Sequence, residues 1–159
     1  MAWTTPKTDW ETGELVAASD MNKIGENLAT LKQPASAVYT TTEDITADTN
    51  GDFLDVDSTN LSLTITTTGG DVIVHFDGVL RLTRGDRGTG NCFDIDVGGT
   101  RQGGVDGIMH TSVPSHRNKE SFTHLIQNLS AGTHTFKLQW RNWEGVRLYA
   151  GAQFWVREI

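Results

Sequence analysis

The chain has a single cysteine, Cys92, among its 159 residues. No intrachain disulfide can form and no cysteine-based zinc knuckle can be assembled, so Cys92 is expected as a small residue in or beside a strand. Positive charge is scarce as well: 13 Lys and Arg stand against 20 Asp and Glu, a formal charge of −7. With a pI of about 5.1, a phosphate-tracking surface is disfavoured and no nucleic-acid partner is expected. Nothing approaches the ~18 consecutive apolar residues of a membrane-crossing helix, so no membrane insertion is expected. The start, Met1-Ala2-Trp3, lacks a basic region followed by an apolar run, which argues against a secretory leader. The Asn-x-Ser sequons at Asn60 and Asn128 then read as coincidence. Alanine and leucine are sparse after the first segment, and no repeat of fixed period exists. What is abundant is threonine and glycine, 17 of the latter, a composition of strands and tight turns. The length allows one well-cored domain with a small appendage.

The appendage comes first. An extended lead carries Trp3 and Trp10, and Ser19 and Asp20 then supply helix N-cap and first-turn oxygens. Met21, Ile24, Leu28 and Leu31 follow at spacings that make one narrow apolar stripe, until Pro34 ends the helix. Such a helix, about 14 residues long, is marginal alone in water. Gly25 weakens it by roughly a further 1 kcal/mol. It has to dock on something. Residues 1–34 are therefore expected to form an attachment segment with one helix, and residues 35–159 a separate β-sandwich domain.

In that body the helical period is gone. Val38 to Thr42 is β-branched, and Asn50-Gly51 signals a turn ahead of Phe53 to Val56. Leu61, Leu63 and Ile65 alternate with polar residues, and Val72, Val74, Phe76, Leu80 and Leu82 share one strand face. Gly78 inside that run suggests a bulge. Phe93, Ile95 and Val97 alternate with Cys92, Asp94 and Asp96 before Gly98-Gly99 turns the chain. Phe122 to Leu129 reads as a strand, and His134, Phe136, Leu138 and Trp140 as the inward face of the next. Asn142-Trp143-Glu144-Gly145 is a hairpin tip. The last strand alternates Leu148, Ala150, Ala152, Phe154 and Val156 against Tyr149, Gly151, Gln153, Trp155 and Arg157. About eight strands with regular turn signals argue an all-β, antiparallel, jelly-roll-like sandwich with a short N-terminal helix, another Greek-key sandwich being second choice.

Chemistry is thinly marked. His75, His110, His116, His124 and His134 are scattered outside any nucleophile–base motif, so neither catalysis nor a cofactor or resident metal is expected. The pairs Asp94/Asp96 and Asp55/Asp57 suit a solvated acidic face better than calcium, whose ordered loop spacing is missing. Arg84-Gly85-Asp86 reads as ordinary hairpin residues rather than an adhesive tripeptide. Trp143 has two readings: an exposed ligand contact at the tip, or an indole folded back beside Trp140. Tyr149 and Trp155, outward on the last strand, want cover that a neighbouring subunit would supply.

Two stretches carry a family resemblance. Trp-Thr-Thr-Pro-Lys-Thr-Asp-Trp from Trp3, with Gly-Glu-Leu-Val-Ala-Ala-Ser-Asp-Met-Asn-Lys-Ile-Gly-Glu-Asn-Leu after it, resembles the N-terminal module of tailed-phage and prophage structural proteins. Leu-Ser-Ala-Gly-Thr-His-Thr-Phe-Lys-Leu-Gln-Trp, ending at Trp140, and the closing Ala-Gln-Phe-Trp-Val-Arg-Glu are similar to the trimeric jelly-roll heads of such proteins. The resemblance implies a non-enzymatic virion protein, a tail-fibre or tail-tip component or a head decoration. Trp3, Trp10 and the helix stripe would attach it to other virion proteins, and Tyr149 and Trp155 would lie in a homotrimer interface. The alternative is a carbohydrate-binding or receptor-binding module that contacts a host-surface glycan through Trp143.

Overall fold

The computed structural model describes residues 17–32, 34–47, 49, 51–83, 90–112, 116–143 and 145–159, and only the backbone of 27–32, 47, 82 and 112. Trp3, Trp10 and Arg84-Gly85-Asp86 lie outside the described residues, as do the side chains of Leu28 and Leu31. Among the described residues one helix, α1 (Ala18–Lys32), precedes twelve strands. In order these are β1 (Ser36–Thr40), β2 (Ile45–Ala47), β3 (Leu54–Asp55), β4 (Ser62–Thr67), β5 (Gly70–Leu82) and β6 (Gly90–Val97). There follow β7 (Thr100–Arg101), β8 (Met109–Ser112), β9 (Asn118–Leu129), β10 (Gly132–Arg141), β11 (Val146–Leu148) and β12 (Gln153–Glu158).

Every pairing is antiparallel. In the first sheet β5 is central, with β12 and β11 end to end along one edge and β9 along the other; β1 and β2 flank β12 and β11. In the second, β10 lies between β6 and the pair β3 and β4, and β7 and β8 line the far edge of β6. Taking each end-to-end pair as one interrupted strand leaves eight, in the orders 1-8-3-6 and 2-7-4-5. That is the order of a jelly roll. Apart from the fourth and fifth, strands adjacent in sequence alternate between sheets, so most contacts are long-range.

The core is what period-two alternation dictates. Val72, Val74, Phe76 and Leu80 of β5 and Phe154 and Val156 of β12 face Phe93, Ile95, Phe136, Leu138 and Trp140, all buried. Phe76 meets Phe93 at 4.9 Å between ring centroids and Phe122 at 5.8 Å. Gly78 makes no bulge, because pairing with β9 runs in register from Val72 to Leu80 and shifts only between Gly70 and Val72. Its role is space. A Cβ there would come within 2.7 Å of both Leu148 Cδ1 and Phe76 Cζ.

The expected single last strand is two. Between β11 and β12 the chain turns at Gly151, whose φ is +90°. Thr41, buried between β1 and β2, holds the break by accepting Ala152 N–H at its Oγ1, 3.0 Å, and Gly151 N–H at its carbonyl, 2.8 Å. Asp44 accepts Ala150 N–H at 2.9 Å. Ala150 is consequently exposed rather than inward. The helix also begins earlier than its cap residues suggest, with Asp20 and Met21 N–H both on the Ala17 carbonyl, so Ser19 falls in the first turn. Met21 and Ile24 are 57% and 38% exposed, so this part of the stripe is bare in the isolated chain.

Candidate functional site

At the end of β10 the chain leaves the sheet because Asn142 is pinned. Its amide oxygen accepts Thr49 N–H at 3.2 Å, its carbonyl accepts Thr49 Oγ1–H at 2.9 Å, and its own N–H reaches Thr49 Oγ1 at 2.8 Å. Gly51 N–H bonds the same carbonyl at 2.9 Å. Asn142 reads from sequence as a turn former; it is in fact a buried anchor, and the next residue, Trp143, is turned outward with 49% of its surface exposed. The indole leans on Gly51, where a Cβ would lie 2.6 Å from its Nε1. The Arg141 guanidinium sits 4.7 Å from the Trp143 ring and 4.9 Å from that of Phe53, and Arg101 covers Phe53 at 4.2 Å. Trp143 thus ends a ladder of alternating aromatic rings and guanidinium groups, while Trp140 points into the core. Arg141 is fixed by Asp106 at 2.8 Å and the Val105 carbonyl at 2.7 Å. Trp143→Ala should therefore lower stability by about 1 kcal/mol, the value of a half-buried ring with one cation–π partner. A loss of about 3 kcal/mol in a denaturant melt would mean that the indole belongs to the core.

The expected solvated acidic face is corrected. Asp94 is fully buried and Asp96 is 8% exposed. Residues 102–108 fold over the outer side of β6, and the Asp94 carboxylate accepts Ile95 N–H at 2.8 Å, Gly103 N–H at 2.8 Å and Arg101 Nη1–H at 3.2 Å. Asp96 accepts Gly99 N–H at 2.9 Å. Asp55 bonds Lys137 and Gln139, each at 2.9 Å. Burial pushes its carboxyl up, but those two partners pull harder and leave it below the ordinary carboxylate value. Its contribution to stability is thus complete at neutral pH and is lost as pH falls through that lowered pKa. Asp57 is lowered too, its burial outweighed by the Asn60 and Thr59 N–H groups it caps. His134 is half-buried, with Nε2 on the Ser130 carbonyl at 2.8 Å.

The outer face of the first sheet holds Tyr149 and Trp155, but not together. Register places Trp155 in one row with Val38, His75 and Thr123, and Arg157, Ile73 and Leu125 in the next. His75 stacks on Trp155 at 5.1 Å and bonds Thr123. Val38 and Leu125 are 66% and 44% exposed, and an open groove of about 350 Å³ runs between Val38, Trp155 and Arg157. Tyr149, whose N–H bonds the Val79 carbonyl, is four residues along β5 from His75, about 13 Å away. Its ring lies under Arg117 at 4.1 Å. Interaction with Arg117 lowers the phenol pKa, burial opposes this, and Arg81 adds to the lowering. Spacing along the last strand gave no sign of this separation, because the break at Gly151 is set by Thr41 and Asp44.

No protein-family model matches the chain, and no curated protein matches it. Solved structures do. A chain of infectious bursal disease virus, Gx strain, is similar at 13% identity and a TM-score of 0.52, over 78% of this chain and 32% of that one. This is a likeness of fold, and it spans about a third of the viral chain. The vertex protein P5 of PRD1 matches at 9% identity and TM-score 0.43 over 79% and 95% of the two chains. A carbohydrate-binding module of Cellvibrio mixtus lichenase 5A, solved with cellotriose, matches at 17% and 0.42 over 78% and 87%.

Proposed function

We propose that the chain is a non-enzymatic structural protein of a phage virion, a jelly-roll head displayed on the particle as a homotrimer and held there by its first 34 residues. The observation that carries this reading is the division between a sandwich whose core is complete and a helix with Met21 and Ile24 bare. A two-sheet body has no need of that helix, and the helix has need of a partner. The row Val38–Trp155, with Ile73 and Leu125 beside it, supplies an apolar face suited to burial between copies, and closed symmetry covers such a face on every copy. The fold shared with the bursal disease virus chain is in keeping with a particle protein. Tail fibre, tail tip and head decoration are all served by this arrangement.

The experiment is a truncation. Removing Met1 to Gln33 should leave a cooperatively melting sandwich that no longer co-sediments with phage particles, while the full chain does. Light scattering should give about three times the chain's 17.4 kDa. A truncated chain that fails to fold would place the helix in the core and end the two-part reading; a monomer at tens of micromolar would end the trimer. The second reading, a glycan-binding module, is favoured by one observation, the half-exposed indole of Trp143. On a glycan array, its support would be binding by the parent chain that Trp143→Ala abolishes.

A further inference from the structure

Along one side of the sandwich the connection from β1 to β2 faces that from β3 to β4 across a recess of about 280 Å³. Its floor is apolar, because Tyr39 and Ile45 are half-buried and pack against the core. Its rim is polar, with Thr42, Glu43 and Asp44 from the first connection and Asp57 and Asn60 from the second. Both walls are held by backbone groups. Thr41 Oγ1 accepts Ala152 N–H at 3.0 Å and Asp44 accepts Ala150 N–H at 2.9 Å, which pins the first connection. Asp57 accepts Thr59 N–H at 2.9 Å, Asn60 N–H at 3.0 Å and Asn60 Nδ2–H at 2.9 Å, which pins the second. Burial pushes the Asp57 carboxyl up, but these bonds pull it below the ordinary carboxylate value, so it is a charged acceptor at neutral pH. Walls set in place beforehand lose little freedom when a ligand binds.

Three lining residues are carboxylates and none is basic, Arg147 standing 3.8 Å from Asp44. Among the described residues no three side chains are placed to hold a metal ion, so these carboxylates are left as hydrogen-bond acceptors. A cyclic polyol uses every part of such a recess. Its hydroxyls donate to carboxylates and accept from the hydroxyls of Tyr39 and Thr42, while the C–H face of its ring covers an apolar floor. We propose that this recess is a binding site for one uncharged sugar residue, with Glu43, Asp44 and Asp57 accepting its hydroxyls and its ring set on Tyr39 and Ile45. The same carboxylates repel an acidic sugar, so uronates are excluded. The recess lies at the Ile45 end of β2, and the Trp143 tip lies beyond the other end, where Thr49 meets Asn142. The inference therefore rests neither on a role for Trp143 nor on attachment to a particle.

The test follows the backbone amides of the full, isotope-labelled chain by NMR. It is titrated with the methyl glycosides of glucose, galactose, mannose and N-acetylglucosamine, and with glucuronate and ethylammonium at matched ionic strength. Thr59, Asn60 and Ala150 N–H report on the Asp57 and Asp44 carboxylates. Their signals should shift saturably with at least one neutral glycoside and with neither charged probe. Glu43→Gln should weaken that glycoside about tenfold, as loss of a charge-assisted bond does, and Tyr39→Phe about fivefold. Glu43 is exposed, so Glu43→Gln should melt like the parent. Should Tyr39→Phe fail to fold, Thr42→Val, at another exposed position, must weaken the glycoside in its place. Shifts confined to the Trp143 indole N–H would put the sugar at the tip, and saturation by ethylammonium alone would make the recess a cation site; either overturns the proposal. So do equal binding of glucuronate, absence of saturation by all four glycosides up to about 0.1 M, and parental affinity in the double Tyr39→Phe, Glu43→Gln variant.

Discussion

Asp94→Ala should lower the stability of the sandwich by about 3 kcal/mol, because it leaves two backbone N–H groups without their buried acceptor and removes the ion-pair partner of Arg101. The side chain has no exposed surface, and its three acceptor contacts tie β6 to Gly103 and Arg101. Arg101 is partly exposed, so the ion pair is the smaller share of that loss and the backbone donors the larger. Asp94→Asn separates the two. It keeps an acceptor oxygen for Ile95 and Gly103 and loses the charge facing Arg101, so about 1 kcal/mol is expected. Urea melts of the three proteins read both values. A change within about 0.5 kcal/mol for Asp94→Ala, ordinary for a surface residue, would mean that the carboxylate faces water after all.

That contrast marks where the sequence stops being legible. Alternation at Leu61–Ile65, Val72–Phe76, Phe93–Val97 and Phe136–Trp140 places each strand and its inward face, and the number of strands leads to the sandwich. A period of two says which residues share a face, but not what lies on the outer one. Asp94 and Asp96 share the side of β6 away from the core, where carboxylates ordinarily meet water. Gly103 and Arg101 close on Asp94 and Gly99 caps Asp96, and glycine-rich irregular sequence carries no signal of where it folds back. The same holds for the last strand. Its alternation is continuous from Leu148 to Val156, and it breaks because Thr41 and Asp44, more than a hundred residues earlier, capture its backbone. Gly78 was ambiguous for a different reason: a strand glycine marks either a bulge or a close approach, and only the packing of Leu148 and Phe76 decides.

The tip around Trp143 was legible as a tip and not as a structure. Asn142 and Gly145 announce a turn. Phe53, Arg101 and Arg141, which build the ladder that holds the indole, come from three distant segments, and cation–π partners leave no pattern in a single sequence. The separation of Tyr149 from Trp155 on the outer face of the first sheet was hidden on the same ground. They are six residues apart in sequence, but the irregular turn between them places one among arginines and the other in an apolar row. Tyr39, Glu43 and Asp57 come to border one recess only once the β1–β2 and β3–β4 connections face one another.

The loop that buries Asp94 depends on glycine at position 107, and Gly107→Ala is expected to open it. Gly107 has φ +73°, a conformation that costs a residue with a Cβ about 1–2 kcal/mol. Its Cβ would also lie 2.4 Å from the Phe93 carbonyl oxygen, the same oxygen that accepts Ile108 N–H at 2.8 Å. The methyl group and that hydrogen bond cannot coexist, and losing the bond adds roughly 1 kcal/mol or more. A total near 3 kcal/mol is expected in a melt, but the effect should concentrate on residues 102–108, since β6 and β10 keep their own ladder. Cys92 gives a local reading of it. The thiol is fully buried, and its sulfur accepts Arg141 Nη2–H at 3.3 Å while Arg141 is held by Val105 and Asp106 of the same loop. If the loop is what shields the sulfur, a weakening of about 3 kcal/mol raises the open population by about 100-fold, and thiol labelling in the absence of denaturant accelerates by that factor. Val105→Ala is the control: its side chain is 77% exposed, so neither melt nor labelling should move. Acceleration in both variants would show that the loop opens with little resistance in the parent chain; acceleration in neither would show that Cys92 is shielded by the β6–β10 pairing alone and that the loop yields to the extra methyl group without detaching.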